Sequence, residues 1–264
     1  MSLPAFEYIL YEKKGHVAYV TLNRPDVMNA MHPPTHAELV RAWSDVIDDD
    51  EIWVAILTGA GDRAFSAGTD LKWRIEDADE DQLRNPVHSS SHILDHCCKP
   101  IIAAVNGYAV GGGLELALGC DIIVASPTAM LGLPEARRGL LADEGGVLRL
   151  PRRLPYHLAM GMILTGRLVP APEAHSIGLV NEVAGEGGTA MDVAERWAGL
   201  ILEGGPLAVQ AAKQVVVHTI DSPVPLSRTQ LEDLTAVRRL RMSEDYAEGP
   251  RAFAEKRKPE WQGK

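Results

Sequence analysis

Apolar residues in this chain occur in three patterns: short alternating groups, unbroken runs, and helical spacing. Residues 6–23, FEYILYEKKGHVAYVTLN, alternate aromatic and β-branched residues on either side of Lys13–Lys14–Gly15. That pattern predicts two short strands joined by a turn. From Pro33 to Asp48, after a His-Pro-Pro start, Ala37, Leu39, Val40, Trp43, Val46 and Ile47 recur at helical spacing. WVAILT (Trp53–Thr58), PIIAAV (Pro100–Val105) and IIVA (Ile122–Ala125) are unbroken apolar runs, so they predict strands buried on both faces. Such strands alternating with helices imply an α/β fold with a parallel or mixed sheet covered on both sides. After about residue 185 only helices are predicted: Met191–Leu202, Pro206–Ile220, Pro225–Met242 and Ser243–Lys256. Breaks fall at Gly204–Gly205, at Ser222–Pro223 and near Ser243. WRIEDADEDQLR, Trp73–Arg84, is acidic and expected to be exposed.

Two glycine-bearing segments follow buried runs: AFSAGTDL (Ala64–Leu71) and NGYAVGGGLEL (Asn106–Leu116). Glycine lets a backbone turn sharply after a strand and brings its N–H groups close to a ligand. If Gly113 and Leu114 open a helix, the N–H groups there have no internal partner. Two such turns can aim two N–H groups at one oxygen, forming an oxyanion hole whose donors are worth roughly 10²–10³ in rate each. Glu115 lies beside these glycines among Leu and Ala, where a carboxylate is costly unless partnered. A second acid, Glu135, follows Pro134 in LGLPEARRGLLADEGG. Burial and mutual repulsion would separate the proton affinities of two such acids, as an acid–base pair requires.

Composition narrows the function classes. The chain has 264 residues, 46% hydrophobic and 23% charged, enough for a substantial core. A net charge of -10 disfavours nonspecific nucleic-acid binding, yet leaves room for a local basic patch toward an anionic ligand. Cys97, Cys98 and Cys120 form no CxxC and read as free thiols of a reducing compartment. There is no signal-peptide pattern and no apolar run of about 18 residues, so no membrane association and a cytoplasmic location are expected.

AFSAGTDLK, AVNGYAVGGGLELALGCDI and LPEARRGLLADEGGVLRLPR together resemble the enoyl-CoA hydratase/isomerase (crotonase) family. NRPDVMNAM near the start and FAEKRKPEW near the end match its flanking motifs, in order. The resemblance implies a crotonase-type spiral of repeated ββα units with a helical C-terminal region. Residues 1–200 would form the spiral core with the CoA and catalytic site. Residues 201–264 would build homotrimers, often paired into hexamers. The substrate would be an acyl-CoA, with CoA as part of the thioester and no permanently bound cofactor or metal. The thioester carbonyl would bind the backbone N–H groups of Thr69 and Gly112. Glu115 would position and activate a water, and Glu135 would protonate C2, adding water across the C2–C3 double bond of a trans-2-enoyl-CoA. CoA would contact Ala67, Gly68, Thr69, Asp70, Leu71 and Lys72, with Arg24 and Val27 flanking. Lys256, Arg257 and Lys258 would serve the adenosine end.

One departure concerns Ala142–Asp143–Glu144–Gly145–Gly146, where simple hydratases usually carry Pro-Gly-Ala-Gly-Gly. Asp143 resembles the acid found there in crotonobetainyl-CoA hydratases (carnitinyl-CoA dehydratases) and in dienoyl-CoA isomerases. It reads either as a contact to a cationic or hydroxylated acyl group or as the cap of a helix starting at Glu144. The isomerases usually have aspartate at the position of Glu115, which argues against that branch. His88, His92 and His96 lie four apart, as do His32 and His36, but no nearby acid completes a metal set, so solvated or pocket-lining faces are expected. The segment Trp73–Cys98 would cover the acyl pocket, and its few large apolar residues favour a short or polar acyl group.

Overall fold

A computed structural model describes residues 5–76, 90–220, 228–231 and 233–264. The strands are β1 (Ile9–Lys14), β2 (Val17–Leu22), β3 (Val54–Gly59), β4 (Ala64–Ser66), β5 (Ile101–Val105), β6 (Tyr108–Val110), β7 (Ile122–Ala125), β8 (Met130–Gly132), β9 (Leu168–Pro170) and β10 (Glu182–Val183). They form a six-stranded sheet in the order β1-β2-β3-β5-β7-β10 and a four-stranded sheet in the order β4-β6-β8-β9. Only β1 against β2 and β9 against β8 are antiparallel; the other pairs are parallel. The chain therefore alternates between the sheets. β3 leads to β4 and helix Leu71–Glu76, and β5 leads to β6 and helix Gly112–Gly119. β7 leads to β8 and the 3-10 turn Glu135–Arg138. This is the ββα spiral, and it brings the segments after β4, β6 and β8 to one end of the smaller sheet.

The unbroken apolar runs explain the larger sheet. Successive strand residues point to opposite faces. Ala55, Leu57, Ile101, Ala103, Val105, Ile123 and Ala125 join one core cluster, while Val54, Ile56, Ile102, Ala104 and Val124 join another. Helix Ala190–Leu202 covers the second face with Ala190, Val193, Ala194 and Ala198, running across the 200/201 division expected from the sequence. Enclosure of Ile56, Leu57, Ile101 or Ile102 contributes about 1.5–3 kcal/mol each. The corner between the sheets is fixed by Asn106, whose Nδ2 donates to Gly59 O (2.9 Å), Gly61 O (2.7 Å) and Ala64 O (3.2 Å).

The hairpin turns at Gly15 in the left-handed region (φ 57°). The first long helix spans Pro33–Asp48, with His32 as its N-cap, its Nδ1 accepting from Thr35 N at 3.4 Å. After β10 every described element is helical. The expected helix Pro225–Met242 is interrupted, however: Arg228–Leu231 and Thr235–Met242 are separate. Asp233 N and Leu234 N donate to Gln230 O and Leu231 O, closing a tight turn between them, and residues 225–227 and 232 lie outside the described residues. The last helix, Asp245–Glu255, anchors the C-terminal segment through buried Asp245, which accepts from Gln262 N (2.8 Å) and Gly263 N (2.9 Å). No helix among the described residues is long and apolar enough to cross a membrane.

Candidate active site

The segment after β4 is tied to Met31. Met31 N donates to Gly68 O and Asp70 N donates to Met31 O, each at 2.8 Å, bracketing a parallel bridge between Met31 and Thr69. In such a bridge the N–H of the bracketed residue points the other way. The Thr69 N–H accordingly has no partner among the described residues. Gly112 opens helix Gly112–Gly119, so its N–H is also free of a helical acceptor. The two amides are brought together because glycines permit it. A Cβ on Gly68 (φ +86°) would come within 2.7 Å of Gly112 N, and one on Gly113 within 2.2 Å of Ser66 O. Both donors line a cleft of about 280 Å³, together with Ala67, Leu71, Tyr108 and Glu135.

Glu115 and Glu135 reach this turn from two elements. Glu115 lies on the first turn of the helix, 3% exposed, and its Oε1 accepts the Gly146 N–H at 2.8 Å. Gly146 must be glycine, because a Cβ there would come within 3.1 Å of Glu115 Cγ and 2.9 Å of Ala142 Cβ. Glu135 opens the 3-10 turn after β8, and a Cβ on Gly111 (φ +60°) would come within 2.9 Å of its Oε1. Its Oε2 is buried with no hydrogen-bond partner among the described residues. An unmet buried acceptor costs about 1–3 kcal/mol, so this oxygen is held in readiness for a proton or a ligand.

Burial pushes the Glu115 carboxyl up to about 8; the Gly146 N–H opposes this, and the charges of Glu135, Glu144 and Asp143 add to it. Burial also raises Glu135, against its own backbone N–H and the Arg138 guanidinium, with Asp143 adding to the rise. The charge of ionised Glu135 opposes ionisation of Glu115, and a Glu115 value of about 8 keeps a proton on that carboxyl at neutral pH.

Other sequence-derived candidates divide. Ala67, Gly68, Thr69 and Leu71 lie along the cleft or its edge, Val27 is exposed beside it, and Lys72 is an exposed cation at the start of its helix. Asp143 is not a helix cap: the helix starts at Gly146, its N-cap is Gly145 (φ 117°), and no side chain caps it. The cap fails because Glu115 already takes the Gly146 N–H. Asp143 is exposed, has no hydrogen-bond partner among the described residues, and lies near enough to act on both glutamates. Arg24 and Asp70 pair with each other instead of standing free, with Arg24 Nη1 2.9 Å from Asp70 Oδ2. Arg257 is spent on Glu248 and Glu255. His92 and His96 do not share a helix, since helix Ser91–Leu94 ends between them, and His88 lies outside the described residues. No group of three or more metal-ligating side chains occurs among the described residues. The sequence reading missed Met31, Gly146 and Arg138. The pair Gly145–Gly146 was a visible signal, whereas nothing local marks Met31 as the bridge to Thr69.

The family model for enoyl-CoA hydratase/isomerase matches residues 12–264. The chain is 43% identical to the (E)-benzylidenesuccinyl-CoA hydratase of Thauera aromatica, over 97% of this chain and 99% of that one. It is 41% identical to a carnitinyl-CoA dehydratase of Escherichia coli O157:H7, over 96% and 97%. A crystal structure of an enoyl-CoA hydratase from Mycobacterium tuberculosis H37Rv superimposes with a TM-score of 0.84 at 39% identity, covering 97% of this chain and 99% of that one. The chain belongs to the enoyl-CoA hydratase/isomerase family and has the crotonase fold. It is an enzyme of the hydro-lyase type.

Proposed function

We propose that the protein adds water reversibly across the C2–C3 double bond of a trans-2-enoyl-CoA. The observation that carries this reading is the pair of free amides, Thr69 and Gly112, opening on one cleft lined by Glu135, with Glu115 on the first turn of the same helix. The thioester oxygen accepts both N–H groups. A water held by ionised Glu115 attacks C3 while its proton passes to that carboxylate. The C2–C3 electron pair moves toward the thioester, and the enolate charge gathers on the oxygen between the amides. Protonated Glu135 then delivers its proton to C2. Dehydration runs the same steps backward, from protonated Glu115 and ionised Glu135.

Incubation with crotonyl-CoA and other enoyl-CoAs, following loss of the conjugated-thioester absorbance, tests the reading. Hydration is expected, and its absence with every enoyl-CoA tried would sink it. A carnitinyl-CoA dehydratase-like activity is favoured by one observation: Asp143 presents a carboxylate, unpaired among the described residues, near the glutamate pair and suited to a cationic acyl group. An isomerase using the same amides would move a proton with no uptake of water, and product mass separates the two. A short or polar acyl group remains our preference. We also assign assembly into trimers or hexamers to residues 201–264, testable by sedimentation.

A further inference from the structure

Arg24 stands just after β2, in a motif that the family resemblance assigns to CoA. Its side chain is only 19% exposed, and one nitrogen, Nη1, donates both to Ala30 O (2.6 Å) and to Asp70 Oδ2 (2.9 Å). The guanidinium also lies 5.9 Å from the Tyr8 ring centre. Asp70 is equally committed. Its Oδ1 accepts from Trp73 N (3.2 Å), opening helix Leu71–Glu76, and its own N–H donates to Met31 O. Ala30 precedes Met31, and Asp70 follows Thr69. The guanidinium thus closes a ring that runs through Ala30, Met31, the Met31–Thr69 bridge and Asp70.

What the ring holds is the direction of one peptide group. Gly68 precedes Thr69 at a φ of +86°, a glycine hinge on the free side of the Thr69 amide. Without Arg24, Ala30 O and a carboxylate only 12% exposed on its side chain lose their shared donor. A charge left in that condition is strongly unfavourable, so the turn would rearrange around the hinge. An amide that stabilises developing charge works only when aimed at the charged atom, and small misplacements are costly.

We propose that Arg24 is a positioning residue for the oxyanion hole: by clamping Ala30 O to Asp70 it aims the Thr69 N–H, and it acts on turnover rather than on CoA affinity. This rests on the reading that Thr69 polarises a thioester. The sequence expectation, that Arg24 flanks bound CoA and serves its binding, predicts the opposite split between the two quantities.

The test uses Arg24→Gln, Arg24→Lys, Asp70→Asn and the double variant Arg24→Gln/Asp70→Asn. Three quantities are read: kcat and KM for crotonyl-CoA, calorimetric Kd for CoA, and the infrared carbonyl stretch of bound butyryl-CoA, a saturated thioester that does not turn over. Arg24→Gln is expected to lower kcat by roughly 10², the scale of one lost oxyanion donor, and to return the carbonyl stretch toward its free value. Lys keeps the charge but not the planar fork, so Arg24→Lys should fall between Gln and wild type. The double variant should be no worse than Arg24→Gln, since both residues act through one clamp. Affinity for CoA should stay within about twofold. A tenfold or so weaker CoA affinity with kcat and stretch unchanged would make Arg24 a phosphate ligand and overturn the proposal. A lowered melting temperature with the wild-type stretch retained would also overturn it, leaving only a structural role. If the wild-type complex itself shows no shifted stretch, the oxyanion-hole reading fails and the clamp fails with it. A shift present in wild type and kept in Arg24→Gln sinks the clamp alone.

Discussion

Glu115 Oε1 accepts the backbone N–H of Gly146 at 2.8 Å, so a carboxyl group on the first turn of helix Gly112–Gly119 also closes the start of helix Gly146–Arg153. The bond ties a catalytic candidate to the loop carrying Asp143 and Glu144. The Gly146 N–H also favours the charged form of Glu115 against burial.

Replacing Glu115 by Gln should separate activity from stability. Gln still accepts from Gly146, but it neither takes nor gives a proton, so hydration should fall by at least about 10². Stability should move the other way. A carboxyl whose folded value is raised binds its proton more tightly when folded, so folding loses stability as pH rises from the ordinary 4.5 toward about 8. Near pH 8 the penalty reaches up to about 4 kcal/mol, which Glu115→Gln removes. Thermal melts at pH 5 and pH 8 should show the variant's advantage growing with pH. Equal melting temperatures at both would contradict the burial argument.

The two reaction directions should share one pH dependence. The pH profile of kcat/KM reports groups in the free enzyme. Hydration and dehydration each need one proton on the Glu115–Glu135 pair, and the overall reaction takes up no proton, so the ratio of the two kcat/KM values is fixed by a pH-independent equilibrium constant. Both should decline together as pH rises through about 8, where the pair loses its last proton. Activity that holds level well above pH 8 in both directions would mean that another group carries the proton.

Sequence patterns revealed most of this site, because its parts are local. Free amides follow from glycines at strand ends, and both acids sit within a few residues of such turns. The central strands β3, β5 and β7 of the larger sheet were legible because a run such as PIIAAV has no polar face to leave in water, whereas the two-residue β10 was not. What stayed hidden depends on contacts distant in sequence. Arg24 and Asp70 are 46 residues apart, and no local rule pairs them. Asp143 failed as a cap for the same reason: its place was taken by Glu115, 31 residues from Gly146. The break between Arg228–Leu231 and Thr235–Met242 was missed because 231–234, LEDL, contains no Gly or Pro to mark it.

Asp143→Asn should tune the site without unfolding it. The side chain is exposed and unpaired among the described residues, so stability should stay within about 0.5 kcal/mol. Its charge raises the proton affinity of both glutamates, so removing it should move the turn of the kcat/KM profile to lower pH. If Asp143 also meets a cationic acyl group, the variant should lose rate on carnitine-related thioesters more than on crotonyl-CoA. An unmoved profile would place its carboxylate outside the site.

Adjacent glycines should respond differently to the same added methyl. At Gly113 a Cβ would come within 2.2 Å of Ser66 O and 2.8 Å of Ser66 C, both backbone atoms of β4. Neither can yield without moving the strand, so Gly113→Ala should cost about 1–3 kcal/mol or more and lower the melting temperature. At Gly112 the nearest atoms are Gly68 Cα and Thr69 N at 3.5 Å and Met31 Cε at 3.6 Å, ordinary contact distances. Alanine also suits a first helical turn better than glycine. Gly112→Ala should therefore fold as well as wild type. Its methyl, however, stands beside the Thr69 amide, where the thioester oxygen is expected, and hydration should drop by about 10², as when a donor is lost. Gly112→Pro, which removes the N–H itself, should abolish turnover. Circular-dichroism melts and crotonyl-CoA hydration rates on the three variants decide the matter. Full activity in a folded Gly112→Ala protein would take the oxygen out of the gap between Thr69 and Gly112.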